Sequence, residues 1–391
     1  MKNDSMAIRP LLALGFIFCI SLPIVFSLVQ SQQVQAKKFC WFDNCNQHQN
    51  QKQNTTEQKL RRIAYYESWA SRRPCSAFHP FQVNADEYTH INFAFALVDE
   101  EGRVNLSSPN DTDLYNELKH LREQQTSKTS PQLWIVVGGF GVSSVPFSKM
   151  ASANASRAAF VDSALQFVEK YDFDGLDLDW EYPGAKDKGG NDADKADLVL
   201  LLEEMKPRFE QKGKGLSLTV PGSEYYMTGF DLKGIEPHID WINVMSYDLH
   251  GPWDAPPVLR PHTNLTEINT SIQTIKKAVP AEKINLGLAY YGHTFVLSNS
   301  SCTTPGCPSS GAGKKGNCSL EAGTLINSEI EDLLSTHHVK ITFDHDDAVK
   351  YFVLDDEWMT YDDNETIGLK EEYAVQQGLG TFIWAVDMGR P

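Results

Sequence analysis

Asp177, Asp179 and Glu181 fall at alternate positions in the segment Phe173–Pro183. An extended strand would line them up on one face, about 6.6 Å from one to the next. Three ionised carboxylates at that spacing repel one another, and the group that best keeps a proton is the least solvated one. A carboxyl held protonated near neutrality is a general acid. The opposite face carries Leu176, Leu178 and Trp180, the apolar side that a barrel or doubly wound strand packs against helices. A hard-cation site is the competing use for such a row. The segment has neither the carbonyl-rich loop nor the EF-type spacing of Mg²⁺ and Ca²⁺ sites, so no metal and no cofactor are expected.

The elements that must hold this strand are legible as eight strand-like runs: Arg62–Tyr66, His90–Ala96, Leu133–Gly139, Phe173–Glu181, Leu216–Gly222, Trp241–Asp248, Lys283–Gly292 and Gly380–Asp387. Helix-length stretches separate them, among them Asp111–Gln125, Arg157–Tyr171, Ala196–Gln211 and Ile268–Val279. Eight such units predict an α/β fold, a (β/α)8 TIM barrel over residues 61–391; an open doubly wound sheet gives no reason for that number. Between the seventh and eighth runs, about 293–363, a Gly- and Cys-containing stretch with short runs at Val339–Phe343 and Val349–Val353 predicts a small α+β insertion, the wall of a cleft. The chain stops soon after the eighth run, so the last barrel helix is expected to be missing.

In a barrel the strand C-termini face the site. The sixth run ends Met245-Ser246-Tyr247-Asp248, which brings a phenol and a further carboxylate toward the acidic triplet. Tyr66, Trp69, Tyr182, Trp253, Tyr290, Tyr291 and Trp384 stand at or near other strand ends. Aromatic faces beside carboxylates suit sugar rings, whose apolar face stacks while the hydroxyls hydrogen-bond. Each aromatic alone is more readily core packing; their coincidence at strand ends favours a site. His90 and His250 read as structural histidines, Asp174 as out of phase with the inward set, and Gly138-Gly139 as a point of close backbone approach.

Lys2 and Arg9 precede an apolar run from Leu11 to Val29, and Val34-Gln35-Ala36 offers a cleavage site, so residues 1–36 read as a signal peptide, with an uncleaved anchor as the alternative. Residues 37–60 form a polar, Cys-containing linker. Nine Asn-x-Ser/Thr acceptors follow, at Asn54, Asn105, Asn110, Asn154, Asn264, Asn269, Asn299, Asn317 and Asn364, a density that fits a secreted, extracellular glycoprotein. Cys40, Cys45 and Cys75 form one sequence cluster and Cys302, Cys307 and Cys318 another. Disulfides are expected, and with three cysteines in each cluster either one bridge joins the clusters or two thiols stay unpaired. Zinc is disfavoured, because only His48 lies close to a cysteine. The formal charge of −16 argues against nucleic acid and anionic membranes as partners and suits a neutral substrate.

Asp174-Gly175-Leu176-Asp177-Leu178-Asp179-Trp180-Glu181 resembles the strand-four motif of glycoside hydrolase family 18, the chitinases. Tyr65-Tyr66-Glu67-Ser68-Trp69, Thr89–Ala96, Met245–Gly251 and Gly287–Gly292 resemble the same family, and the likeness runs from about Arg62 to Asp387. The wording of Tyr247–Glu267 and the Cys-rich insertion look most like fungal secreted chitinases. The resemblance implies hydrolysis of chitin or chito-oligosaccharides in which the substrate's own 2-acetamido oxygen attacks the anomeric carbon. It implies Glu181 as proton donor, Asp179 as partner of the acetamide N–H, Asp177 sharing a proton with Asp179, and Tyr247 orienting the acetamide oxygen. Tyr66, Trp69, Tyr182, Met245, Asp248, Trp253, Tyr291 and Trp384 would bind sugar, and a monomer is expected. Val137 stands where the family usually has Ser before the paired glycines, and His293 where an Arg commonly follows Tyr-Gly. A non-catalytic chitin-oligosaccharide lectin or toxin-like subunit on the same fold is the rival reading; the presence of Glu181 speaks against it.

Overall fold

The computed structural model describes residues 60–124 and 130–389 of the chain. The expected signal segment, all but the last residue of the linker, and with them Cys40 and Cys45, lie outside the described residues. Eight parallel strands form the inner sheet: β1 Arg62–Glu67, β2 His90–Val98, β3 Gln132–Gly138, β4 Gly175–Asp179, β5 Gly215–Pro221, β6 Trp241–Met245, β7 Ile284–Ala289 and β8 Gly380–Trp384. β1 pairs with both β2 and β8, which closes the sheet into a barrel. Helices α1 Asp111–Gln124, α2 Asn154–Tyr171, α3 Asp194–Gln211, α4 Leu265–Ile275 and α5 Asn364–Gln377 lie between consecutive strands. The predicted (β/α)8 fold is therefore the observed one.

Side-chain alternation divides every barrel strand into a packing face and a lumen face. Leu176, Leu178 and Trp180 are fully buried in the outer layer, with Val161, Leu201 and Met205 from the helices in the same cluster. At the N-terminal end of the lumen the indoles of Trp134 and Trp241 pack 4.5 Å apart, and the His90 ring sets its edge against both. Gly175 and Gly215 make room for Trp134, since a Cβ on either would come within 2.4 Å of the indole. Burial lowers the His90 pKa to about 4, so it is a neutral part of this floor. The floor leaves the C-terminal mouth as the place for chemistry.

The seam between β1 and β8 is tied by charge. Arg73, from the loop after β1, donates to Glu67 and to Asp387, while the Glu67 backbone N–H donates to Asp387 Oδ1 at 2.9 Å. All three side chains are buried, so removing one partner would strand a charge. Beyond β8 the described residues form a 3₁₀ turn, Val386–Met388. Ile383 and Ala64, on the outer side of this seam, are fully buried in one cluster with Tyr373, Ala374 and Leu379.

The run at Lys283–Gly292 is broken at Tyr290: β7 ends at Ala289 and a new strand, Tyr291–Leu297, leaves the barrel. It is the central strand of an antiparallel sheet with Ser309–Ala312, Thr324–Ile326, Glu357–Tyr361, Val349–Leu354 and Thr342–Asp344, and one helix, Asn327–Thr336, packs beside it. Of the expected run at Val339–Phe343, only Thr342–Asp344 pairs. A disulfide between Cys75 and Cys318 ties this lobe to the loop after β1, and Cys302–Cys307 closes a short loop within it. One bridge thus joins the two cysteine clusters.

These bridges close loops of very different length, 243 and 5 residues apart in sequence. In the chain-entropy account the longer is worth on the order of 5 kcal/mol and the shorter about 2 kcal/mol. Replacing Cys75 and Cys318 by Ser should therefore lower the melting temperature clearly more than replacing Cys302 and Cys307; equal losses in thermal unfolding would contradict that ranking.

Candidate active site

Asp177 sits deepest and is fully buried. Tyr65 Oη and Thr219 Oγ1 each donate to its Oδ2 at 2.7 Å, while Ser217 Oγ and Asn243 Nδ2 donate to Oδ1 at 2.5 and 3.1 Å. Burial pushes its pKa up and the four donors pull it back, with the net shift upward. The donors come from β1, β5 and β6, and Asn285 on β7 supports Asn243 at 2.8 Å. A carboxylate has about four lone-pair sites, and here all are used, so this is where the cluster best keeps a negative charge.

Asp179 is treated differently. It is buried, and its Oδ1 has no hydrogen-bond partner among the described residues. Desolvation, then the charges of Glu181 and Asp177, raise its pKa well above the usual carboxylate range. Asp179 thus holds a proton more readily than Asp177, whose donors oppose the upward shift. No hydrogen bond joins the two carboxyls; the oxygens of Asp177 are taken instead by neighbours on three other strands.

Backbone contact fixes the end of β4. The Gly139 N–H donates to the Asp179 carbonyl at 2.8 Å. Gly138 has φ +110° and a Cβ there would lie 2.1 Å from the same oxygen, so glycine is required. Ser144, fully buried, accepts from Trp180 Nε1 and donates to the Tyr182 carbonyl, both at 3.1 Å, which braces the residues on either side of Glu181.

Glu181 lies at the mouth and is partly exposed. Desolvation raises its pKa to about 7, opposed by a hydrogen bond from Tyr182 and assisted by the negative charge of Asp248. Tyr247, buried beside it, has its pKa pushed well up by desolvation and by Asp179, Asp248 and Glu181, so its phenol remains an O–H donor. Gly287 permits this placement, since a Cβ there would meet the Tyr247 ring at 2.8 Å. Asp248 adopts a left-handed backbone, φ +55°, which turns its side chain toward the lobe. Its Oδ1 accepts from Tyr291 Oη at 2.7 Å and lies 2.8 Å from His293 Nε2 and 3.4 Å from His262 Nδ1. Partial desolvation acts to raise the Asp248 pKa, but the two histidines outweigh it and hold the carboxyl below its ordinary range.

Aromatic rings surround this group. Trp384 stacks on Phe95 at 5.5 Å, Phe95 meets Trp69 at 5.9 Å, and Tyr247 meets Phe382 and Tyr291 at 6.0 Å. Tyr182 stacks on Tyr226 at 4.2 Å, and Trp253, mostly exposed, sets its ring 5.0 Å from His293. Met245 is partly buried against the cluster that includes Tyr247, Tyr291 and Phe382. A rim acid titrating near neutrality, above two buried carboxyls and within an aromatic rim, can protonate a leaving oxygen while an apolar ring face lies against indole.

Residues 61–389 match the family model for glycosyl hydrolases family 18. The chain belongs to that family. Among curated members it is 29% identical to an endochitinase of Manduca sexta, over 85% of this chain and 64% of that protein, and 28% identical to a secreted chitinase of Penicillium expansum, over 84% and 23%. The chain thus spans under two thirds of either relative. Among solved structures, a Group IV chitinase of Ostrinia furnacalis in complex with allosamidin superimposes with a TM-score of 0.78 at 28% identity, over 84% of this chain and 92% of that one. Human YKL-39, described as a pseudo-chitinase with retained chitooligosaccharide binding, gives 0.76 at 25%, over 84% and 93%.

For a family 18 barrel, most of the aromatics named from sequence fall at the mouth, but Tyr66 does not. It is fully buried on the outer face of β1, donating to the Phe78 carbonyl at 2.9 Å, and it is Tyr65, one position earlier, that enters the lumen. Adjacent strand residues point to opposite faces, so only one of the pair can reach the site. Phe95 was missed because an irregularity between Ala94 and Ala96 in the β2–β3 pairing turns it inward, which strict alternation does not foresee. Asn243 and His262 carry no local signal, whereas alternation of small polar with large apolar residues along β5 marks Ser217 and Thr219. Asp174 is structural, accepting from the Leu133 N–H at 2.8 Å, and His250 bridges Asp254 and Glu267.

The raised pKa of Asp179 costs stability as pH climbs from the unfolded carboxyl value toward the folded one. Asp179→Asn removes that cost. It should melt a few degrees higher at pH 7 and gain nothing near pH 3, below the unfolded pKa, while losing activity; an unchanged or lower melting temperature at pH 7 would show that Asp179 is ionised.

Proposed function

We propose that the chain is an extracellular enzyme hydrolysing the β-1,4 bonds of chitin and chito-oligosaccharides with retention, using the substrate's 2-acetamido oxygen as nucleophile. The observation that carries this reading is the pairing of a rim acid raised to about 7, Glu181, with a buried, uncharged neighbour whose Oδ1 is free to accept a hydrogen bond, Asp179. Glu181 gives its proton to the glycosidic oxygen as the acetamide oxygen closes on the anomeric carbon and the bond to the leaving sugar breaks. Asp179 accepts the acetamide N–H, and Tyr247 donates to the acetamide oxygen and holds it on line, a proximity effect. Asp177, anionic beneath them, favours the positive oxazolinium. Water then attacks the same carbon, breaking its bond to the acetamide oxygen and restoring the acetamide, while Glu181 takes a proton from that water.

Trp384 and Met245 would floor the reacting sugar, with Trp69, Tyr182, Trp253 and Tyr291 lining the cleft on either side; Asp248 keeps the Glu181 proton in place by its charge. The working unit in this proposal is a monomer. The two cystines and the sequons support an oxidising, extracellular setting. No helix among the described residues is long and apolar enough to cross a membrane. A fungal secreted origin rests on the Penicillium protein, whose identity does not exceed that of the insect relative. The likeness to YKL-39 keeps a pure chito-oligosaccharide binder as the second reading.

Incubation with N-acetylglucosamine hexamer separates the two. The wild-type chain should release shorter oligomers carrying the β-anomer at the new reducing end, and Glu181→Gln should lose at least about a thousandfold in kcat while hexamer affinity stays within a few-fold. Hydrolysis undiminished in the variant would remove Glu181 from its role, and an inert wild type would favour the binder. The pH profile is a second check. Glu181 must begin protonated, so kcat/KM should fall as pH rises through about 7, by about tenfold per unit beyond; a full rate at about pH 9 would contradict the assignment.

A further inference from the structure

His262, in the loop after β6, and His293, on the strand Tyr291–Leu297, are both buried against Asp248, whose side chain is 46% exposed to the cleft. Each ring spends its outer nitrogen on a backbone carbonyl: His262 Nε2 lies 3.2 Å from the Tyr291 oxygen, and His293 Nδ1 lies 3.0 Å from the Gly323 oxygen. A carbonyl oxygen only accepts, so those nitrogens carry the hydrogens. In the neutral rings the inner nitrogens are then lone-pair atoms. They face Asp248 Oδ1, His293 Nε2 at 2.8 Å and His262 Nδ1 at 3.4 Å, and the latter receives only the long 3.4 Å approach of the Asp248 backbone N–H. A lone pair and a carboxylate oxygen 2.8 Å apart repel unless a cation, proton or metal, lies between or beside them.

We propose that Asp248, His262 and His293 form a site for a first-row divalent transition metal ion, and that occupancy inhibits the cleft. Two imidazoles and one carboxylate are a donor set that such ions take from proteins, and histidines that bind metal typically donate their second N–H to a carbonyl or carboxylate, as both do here. The three ligating atoms lie within 4.8 Å of one another. Metal–ligand bonds of about 2.1 Å place donors about 3.4 Å apart on a tetrahedral edge, so side-chain adjustment of an ångström or so completes the geometry. The exposed side of Asp248 leaves further coordination positions open to water. A bound ion neutralises Asp248, competes with Tyr291 for its Oδ1, and sits under Trp253, whose ring packs against His293. Asp248 and His262 come from the loop after β6 and His293 from the strand Tyr291–Leu297, and the substitution of His for the family's usual Arg after Tyr-Gly supplies the third ligand.

The test is direct binding of Zn²⁺ to the full, chelator-stripped chain at pH 7.5 by calorimetry, which does not depend on the hydrolysis reading. One ion per chain is expected, with affinity reduced at least tenfold in His293→Ala and in His262→Ala. Co²⁺ should give the visible bands of a nitrogen- and oxygen-ligated ion without thiolate charge transfer. If either histidine variant fails to fold, Asp248→Asn, at the exposed ligand, replaces it with the same expectation. Failure to bind one equivalent, binding indifferent to these substitutions, or a thiolate band would overturn the proposal.

Discussion

A barrel lumen cannot hold three adjacent carboxylates unless their charges are sorted, and the site follows from how this chain sorts them. Four hydrogen-bond donors converge on Asp177, whereas Asp179 Oδ1 has none among the described residues. The difference between the two is hydrogen bonding, since both are buried. It leaves a carboxyl at depth whose upward shift is opposed by donors, one above it shifted up without that opposition, and a third at the rim that titrates near neutrality. Desolvation is costly for all three, and the barrel bears that cost where the chemistry needs it.

The rest of the architecture keeps that gradient in place. The Trp134–Trp241–His90 floor closes the lumen from below, and the Arg73–Glu67–Asp387 cluster holds the β1–β8 seam at the level of the mouth. The lobe is anchored at both ends. Cys75–Cys318 fixes it to the loop after β1, and a fully buried Lys370–Asp362 pair fixes its exit into α5, with contacts of 2.5 Å to both carboxylate oxygens. A buried pair of this kind is a weak source of net stability but a strong constraint on geometry, because neither partner can leave alone. The lobe thereby presents Tyr291 and His293 to Asp248 at fixed distances.

Asp248 links the barrel to the lobe. Its left-handed backbone is strained for a non-glycine residue, and it is kept by the hydrogen bond from Tyr291 of the insertion strand and by the approach of its own backbone N–H to His262 in the loop after β6. Its charge in turn helps hold the Glu181 proton. The electrostatics of the proton donor are therefore coupled to the packing of a lobe that shares no strand with the barrel.

The alternating acids of β4, the eight strand-like runs and the Gly138-Gly139 approach could be read locally, because side-chain period, apolar runs and glycine's freedom are properties of a short segment. The family motif added roles to the same residues. Tyr66 was misplaced for a reason of equal simplicity: two neighbouring tyrosines cannot both face the lumen, and which one does depends on the register of β1 against β2 and β8. The charge state of each acid, the bridge joining the two cysteine clusters, and the meeting of Asp248 with His262 and His293 were decided by tertiary structure alone. Carboxylic acids of the same type differ in proton affinity through burial and through the donors and charges brought to them; here barrel closure supplies the burial, and the donors to Asp177 arrive from strands far away in the chain.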